Sequence, residues 1–427
     1  MNVIKNLRSE ISQKNIYQNI VFFSLVLAPI AFAAGPAVME ILVMVSNLSF
    51  LFLVVTKKIS NYPSRKIFFY LLLYLAIILI TSLFSIIPIV SLKSGVLSFR
   101  FIVFVFASIY ILNVFKSGYV ILFYTYIFIF SFILADAYIQ FFLGKDLFFI
   151  EPLSKDRITG VFGDEKKLGS FLVRLIPILI GLSLILLKNK NYLISTLILL
   201  FSFPIIIFTQ ERIASLFLVI IFVFFAIYSW NRMLQNKKRY TLLFCLFVSI
   251  PLIFYNLDIN KFKERITDTK IQLNGGEING KLVFWSTQHQ SFAKTSIEIF
   301  KKNKLFGSGI KTYREACKEI KIEYKNNCST HPHNIFFQIL SETGFLGIIF
   351  YLIILFFLMK KQFLFFFSNN KKDPNIFFLL GFFFYINPFF PSGQMFNNWY
   401  MGIGIFSLIF YFYFEINKQL DQTEHLQ

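Results

Sequence analysis

Apolar runs long enough to cross a bilayer recur along almost the whole of this chain, and they leave one polar stretch of any length between them. They fall at 17–34, 37–55, 67–87, 95–113, 119–143, 169–187, 192–208, 213–230, 240–256, 335–358, 375–391 and 398–414. Roughly 17 to 25 apolar residues span the hydrocarbon core as a helix. With 56% hydrophobic residues, sixty Phe and only 15% charged residues, the apolar surface exceeds what one soluble core can bury. Lipid must therefore be the solvent. Inside lipid each backbone N–H and C=O needs an internal partner, so the runs read as helices. The expected fold is an all-α polytopic integral membrane protein with about twelve transmembrane helices.

Three regions follow. Residues 1–256 hold the first nine helices, with short loops and an outer loop at 144–167. Residues 257–334 form a large outer loop between helices 9 and 10, and 335–427 hold the last three helices and a tail. The first run is long, lacks a small-residue cleavage site and leads at once into a second, which argues against a removed signal peptide.

Cations in short loops fix orientation, because Lys and Arg beside a span stay on the cytoplasmic side. Lys5, Arg8 and Lys14, Lys57 and Lys58, Lys116, Lys188 and Lys190, Arg232 to Arg239, and Lys360 to Lys372 occupy every second connection. Both termini are thus expected in the cytoplasm and the two long loops outside. The net charge of +20 is largely this topological signal and a basic outer loop, so nucleic acid is a poor reading of it.

The outer loop has a different texture. Trp285, His289, Phe292, Ser296 and Ile299 recur at helical spacing and lead through Lys301-Lys302 to Gly307-Ser308-Gly309, which reads as an amphipathic helix with a glycine stop. Such a helix either lies on the outer leaflet or packs on the rest of the loop. Cys245 sits in an apolar run, whereas Cys317 and Cys328 share the loop. Three readings are open for that pair: a disulfide, free thiols, or, with His331 and His333, a zinc site lacking a Cys-x-x-Cys clip. A disulfide would brace the following segment by about 2–4 kcal/mol.

Two of the four histidines, His331 and His333, stand where the loop re-enters the membrane, in the stretch CSTHPHNIFFQILSETGFLG from Cys328 to Gly347. Asn334 is placed to cap the next helix, whose Gly344 and Gly347 favour close helix packing. His333 just outside it suits proton abstraction from a hydroxyl, the bland alternative being a histidine bonded to a loop carbonyl. Arg212, in the short connection FTQERIAS, either pairs with Glu211 or holds a phosphate or pyrophosphate with its planar fork. Arg100 lies a turn or two inside a span. Asp136 and Gln140 share a helix face at i and i+4, Arg174 follows the outer loop at 144–167, and all are explained by buried polar pairing. Arg157 and Arg265, in the outer loops, are candidate ligands for an anion.

These residues resemble the O-antigen ligase family, whose superfamily also contains O-antigen polymerases. The resemblance rests on about twelve spans, a large late outer loop, Arg212 in a short outer turn, and His333-Asn334 followed by Gly344. FGSGIKTYREAC, GVFGDEKKLGS and PSGQMFNNW are further echoes. It implies glycan transfer at the periplasmic leaflet from an undecaprenyl-pyrophosphate-linked donor to a lipid A-core acceptor, without nucleotide sugar, metal or other cofactor. His333 would be the general base and Arg212 would offset charge on the leaving pyrophosphate. Arg265 is the first choice for a second cation, and His331, Asn334, Arg157 and Arg100 would contact substrate. One departure is Gly280-Lys281, where relatives carry Gly-Arg; lysine loses the bidentate geometry. Open alternatives are a polymerase joining lipid-linked repeats, a transferase acting on protein hydroxyls, a lipid-linked glycan flippase and a non-catalytic scaffold.

Overall fold

In the computed structural model, residues 2–59, 65–152, 157–187, 192–235, 285–320, 328–367 and 373–424 are described, together with 267, 270 and 271. Among them the regular structure is entirely helical: α1 (Asn2–Gln13), α2 (Ile16–Ala34), α3 (Pro36–Val55), α4 (Arg65–Leu83), α5 (Pro88–Val114), α6 (Gly118–Leu143), α7 (Leu168–Leu186), α8 (Leu193–Phe208), α9 (Arg212–Gln235), α10 (Thr287–Lys302), α11 (Ile335–Phe367), α12 (Asn375–Ile386) and α13 (Asn398–Glu424). Short helical turns occupy Gly160–Phe162, Tyr313–Ala316 and Cys317–Glu319. Eight helices are long and apolar enough to cross a membrane, and three shorter apolar ones lie at Phe68–Leu83, Leu193–Phe208 and Asn375–Ile386. Eleven expected runs therefore coincide with helices; the twelfth, 240–256, lies outside the described residues.

The bundle is built around α7, buried on nearly all sides, and the inner half of α5 from Phe101 to Leu112. Helices α2, α3, α4, α6 and α11 present outward faces of exposed Ile41, Phe69, Phe128 and Phe356, as surfaces meant for lipid do. Small residues let the inner helices close up. A Cβ on Gly181 of α7 would stand 2.7 Å from the Phe378 ring of α12.

Three boundaries differ from the sequence reading. Helix α12 ends at Ile386, since Asn387 precedes Pro388 and adopts ψ 136°, leaving residues 387–397 as a non-helical segment. Helix α10 ends at Lys302, with Asn303 as its cap, rather than at the glycines beyond it, and it packs on α11. Gly344 does not ease helix packing; it breaks α11, with φ 61° and ψ −155°.

The strap 304–309 fills that break. The amides of Ser308 and Gly309 donate to the carbonyls of Ser341 and Glu342 (both 2.9 Å), and the amides of Phe345 and Leu346 donate to Lys304 and Leu305 (2.8 and 3.2 Å). The groups that the break would orphan are thereby satisfied by another piece of backbone. Only glycine fits on either side, because a Cβ on Gly344 would lie 2.6 Å from Gly307 N and one on Gly307 would lie 2.5 Å from Thr343 N. The strap is stitched onward to the α4–α5 turn, where Ile86 N and Ser85 Oγ donate to the Ser308 carbonyl (3.0 and 2.8 Å).

Such bonds collect several connections at one end of the bundle. Thr159 and Gly160 amides reach Gln140 Oε1 (2.8 Å each), and the Leu147 amide reaches Asp136 Oδ1 (2.9 Å). Asp136 and Gln140 thus hold the 144–160 connection instead of pairing with each other. Trp285 Nε1 donates to the Phe389 carbonyl (3.0 Å), which docks the entry of α10 on the 387–397 segment.

Candidate functional site

Helix α11 begins where the sequence suggests, at Asn334. Its Oδ1 accepts from the Phe337 amide (3.2 Å), and its Nδ2 donates to the carbonyls of Pro388 (2.9 Å) and Phe390 (3.4 Å). One buried amide therefore caps the helix and clamps the 387–397 segment. The Ser392 amide returns a bond to the His333 carbonyl (2.8 Å). His333 takes φ 54°, a left-handed conformation unusual for a residue with a Cβ. Between that turn and the cap, its ring is aimed back toward α10.

There it meets three rings. His331 lies 4.0 Å away between centroids, His289 lies 6.0 Å away, and Phe292 stacks on His333 at 5.4 Å and 26°. His289 and Phe292 come from the first turns of α10, which Ser286 caps by accepting from the His289 amide (3.2 Å). Ser286 Oγ also lies 2.7 Å from His289 Nδ1, Thr330 Oγ1 2.9 Å from His331 Nδ1, and Ser329 Oγ 3.2 Å from His333 Nε2. Burial, and then His289, draw His333 down to about 4. Burial, and then His333, draw His331 down to about 3. His289 is also lowered, by burial and then by the positive charge of Arg212. All three imidazoles are neutral near pH 7, with Arg212 in electrostatic reach.

Arg212 is the first residue of α9, after a turn in which Gln210 has φ 55°. Glu211 faces elsewhere. Its Oε1 accepts from the Gly169 amide (2.8 Å), and its Oε2 accepts from the Ser170 amide (2.9 Å) and the Ser170 hydroxyl. It thereby occupies the positive N-terminal end of α7. Burial raises its carboxyl; these bonds and Arg174 oppose the rise. Arg174 in turn donates to the Ser170 carbonyl (2.7 Å) and to the Tyr400 hydroxyl (3.3 Å).

The other candidates divide. Cys317 and Cys328 are joined as a disulfide, with Cα atoms 5.4 Å apart, which removes two of the four ligands that a zinc site would have used. Cys317 is buried with Ile299, Tyr313, Ala316 and Ile320, so the bridge ties the residues before His331 to the base of α10. Arg157 is half-buried in the 157–167 connection. Arg100 forms a fork-to-fork pair with Glu40, Nε to Oε2 at 2.7 Å and Nη2 to Oε1 at 3.0 Å. It lines a cavity apart from the histidines. Arg265 and Gly280-Lys281 lie outside the described residues. From the sequence His289 could face the same cavity as His333, but its helical spacing with Trp285 and Phe292 is equally well explained by packing. Phe292 carried no signal beyond apolar periodicity.

The fold and the site together define a polytopic helical membrane protein with a neutral histidine cluster and an arginine at one end of the bundle. Residues 197–352, from α8 into α11, match the family model described as O-antigen ligase. This stretch contains Arg212, His289, His331, His333 and Gly344. No curated protein matches the chain.

Proposed function

We propose that the protein is a glycosyltransferase that moves a glycan from undecaprenyl pyrophosphate to a lipid A-core hydroxyl at the periplasmic face of the bacterial inner membrane. The observation that supports this most is the meeting of His333, His331 and His289, with Arg212 in electrostatic reach of His289, within the residues that match the O-antigen ligase family model. His333, neutral before substrate arrives, takes the proton of the acceptor hydroxyl as that oxygen attacks the anomeric carbon. The bond from that carbon to the pyrophosphate oxygen breaks, the leaving group departs with the electron pair, the anomeric centre inverts and the proton stays on the imidazole. Ser329 Oγ, 3.2 Å from His333 Nε2, illustrates a hydroxyl's approach to that nitrogen.

Arg212 offsets the charge growing on the pyrophosphate, with Arg265 as the second cation, so arginines rather than a metal ion carry that task. The lipid pyrophosphate is itself the activated donor. His331 steadies His333, Asn334 holds the turn, and Arg157 meets an anionic part of the substrate.

The test is the surface glycan profile of a deletion strain complemented with wild type, His333→Ala or Arg212→Ala, with the amount of each variant in the membrane measured. His333→Ala should lower transfer by roughly 10²- to 10⁴-fold, the usual worth of a general base. Polymerised glycan held on the lipid carrier and missing from the lipid A-core supports the ligase. A single repeat on the lipid A-core makes the protein a polymerase, and lipid-linked glycan confined to the inner leaflet makes it a flippase. Normal profiles from both variants overturn the catalytic assignment.

A further inference from the structure

A second polar centre lies on the α5 side of the bundle, and none of the steps above uses it. The strap that fills the break in α11 continues into residues 309–313, which are pinned from both sides. The Ile310 amide donates to Ser91 Oγ of α5 (2.7 Å), and the Tyr313 amide donates to the buried Glu342 carboxylate of α11 (3.2 Å). Between these anchors Lys311 is held at φ 59°, a conformation that residues with a Cβ rarely adopt. Its side chain enters a cavity of about 70 Å³ shared with Arg100, Ser94, Ser98, Asn398 and Phe396.

The distribution of charge around this cavity is uneven. Its lining includes two cations and no carboxylate. The acids stand outside the lining: Glu40 grips Arg100 through two bonds and the Leu97 carbonyl accepts from Nη1, which orients the guanidinium and leaves part of its donors unspent, and Glu342 acts on Lys311 from α11. Burial, and then the neighbouring Arg100, hold the Lys311 amine below its ordinary value, whereas Glu342 and Glu40 act the other way. Glu40 matches the charge of Arg100 from outside the lining, so the charged groups that an entering group meets there are both cationic, the Lys311 amine on its strained backbone and the remaining N–H groups of Arg100.

We propose that the Arg100–Lys311 cavity is an anion site that takes a phosphate or carboxylate group carried by the glycan substrate. That the anion belongs to a glycan rests on the proposed transferase; the anion site itself does not. The site is separate from the one proposed for the pyrophosphate, because its lining includes none of His289, His331, His333 and Arg212.

The test uses the purified full-length chain in detergent, with inorganic phosphate, glucose 6-phosphate and glucose as probes. Two readouts are followed: the thermal midpoint against probe concentration, and the reductive methylation of Lys311 by mass spectrometry, with the exposed Lys145 as internal control. Phosphate and glucose 6-phosphate should raise the midpoint and protect Lys311 but not Lys145, while glucose does neither. Lys311→Met should weaken the apparent binding roughly tenfold, the size expected for one lost charged donor, and Lys311→Arg should restore it. Protection by phosphatidylglycerol nanodiscs, without added phosphate and beyond that of phosphatidylcholine ones, would assign the anion to a lipid headgroup and overturn the glycan part. A midpoint response equal in wild type and Lys311→Met, with Lys311 unprotected, overturns the anion site. Because no transfer is measured, failure of the His333 assignment leaves this result standing, and the reverse.

Discussion

Arg100 and Arg212 each stand near a glutamate toward the same end of the bundle, and the two glutamates do opposite things. Glu40, sixty residues away in sequence, closes a two-bond fork on Arg100. Glu211, adjacent in sequence to Arg212, turns its carboxylate to the amides that open α7. Glu40 thus matches the charge of Arg100 at close range, whereas Glu211 is spent on a helix end; the charge of Arg212 acts on His289. What a carboxylate neutralises is decided by which donors the fold presents to it. Unpaired amides at a buried helix N-terminus compete well with a guanidinium, because leaving them unmade is costly.

Four experiments would break or sharpen this contrast. The largest effect is expected for Arg212→Ala, which should lower glycan transfer roughly 10²- to 10³-fold per folded molecule, with Arg212→Lys recovering only part of it. A transfer assay normalised to folded protein checks this, and a small loss would make Arg212 as structural as Arg100. Next comes Glu40→Ala, which strands a mostly buried guanidinium and should cost about 3 kcal/mol, read as a fall in the denaturation midpoint. If the midpoint does not move, the fork is a surface pair of little worth.

Glu211→Gln is milder, since the amide oxygen can still accept one of the α7 bonds; a loss of about 1 kcal/mol is expected in the same measurement. Its transfer rate should fall more than this loss of stability explains if the turn positions Arg212. The smallest signal is a titration. Arg212 lowers the His289 pKa, so Arg212→Ala should raise it toward 6.5, while Glu40→Ala should leave it where it is. Histidine resonances followed by NMR report this directly. An unchanged His289 would mean that the charge of Arg212 is not felt across the cluster.

The depressed histidines also set a direction with pH. Their folded values lie below the unfolded one, so the unfolded chain binds more protons as pH falls from about 6.5 toward 4, and stability drops through that window. Neutral His333 conversely remains available as a base in the free protein at a pH where an ordinary imidazole is already charged.

Much of this architecture was legible in the residues. Apolar runs located eleven helices, because length and hydropathy are local properties, and Asn334 declared its cap. Where the apolar signal was overridden, either a nearby proline or a distant stretch of backbone was responsible. The apolar run from 375 to 391 is helical only as far as Ile386, since Pro388 acts through the residue before it. Gly307, Gly309 and Gly344 announced themselves as glycines, but not that two of them would face one another across a broken helix. In the site, His333 and Arg212 were visible because such residues are rare at the ends of apolar runs. His289 and Phe292 were masked by a helical spacing that packing explains equally well. The partner of Glu211 was invisible, since it is a pair of backbone amides some forty residues upstream.

The break in α11 has one more consequence. Residues on both sides of Gly344 are bonded to the strap, Ser341 and Glu342 through their carbonyls and Phe345 and Leu346 through their amides, before the helix runs on as the lipid-facing rod. The joint lets these two parts differ in direction without loss of a backbone bond. Because the strap is bonded on both sides of Gly344, it fixes the angle between the rod and the helix start that follows the imidazoles, so the tilt of the rod also sets how the histidine cluster is presented.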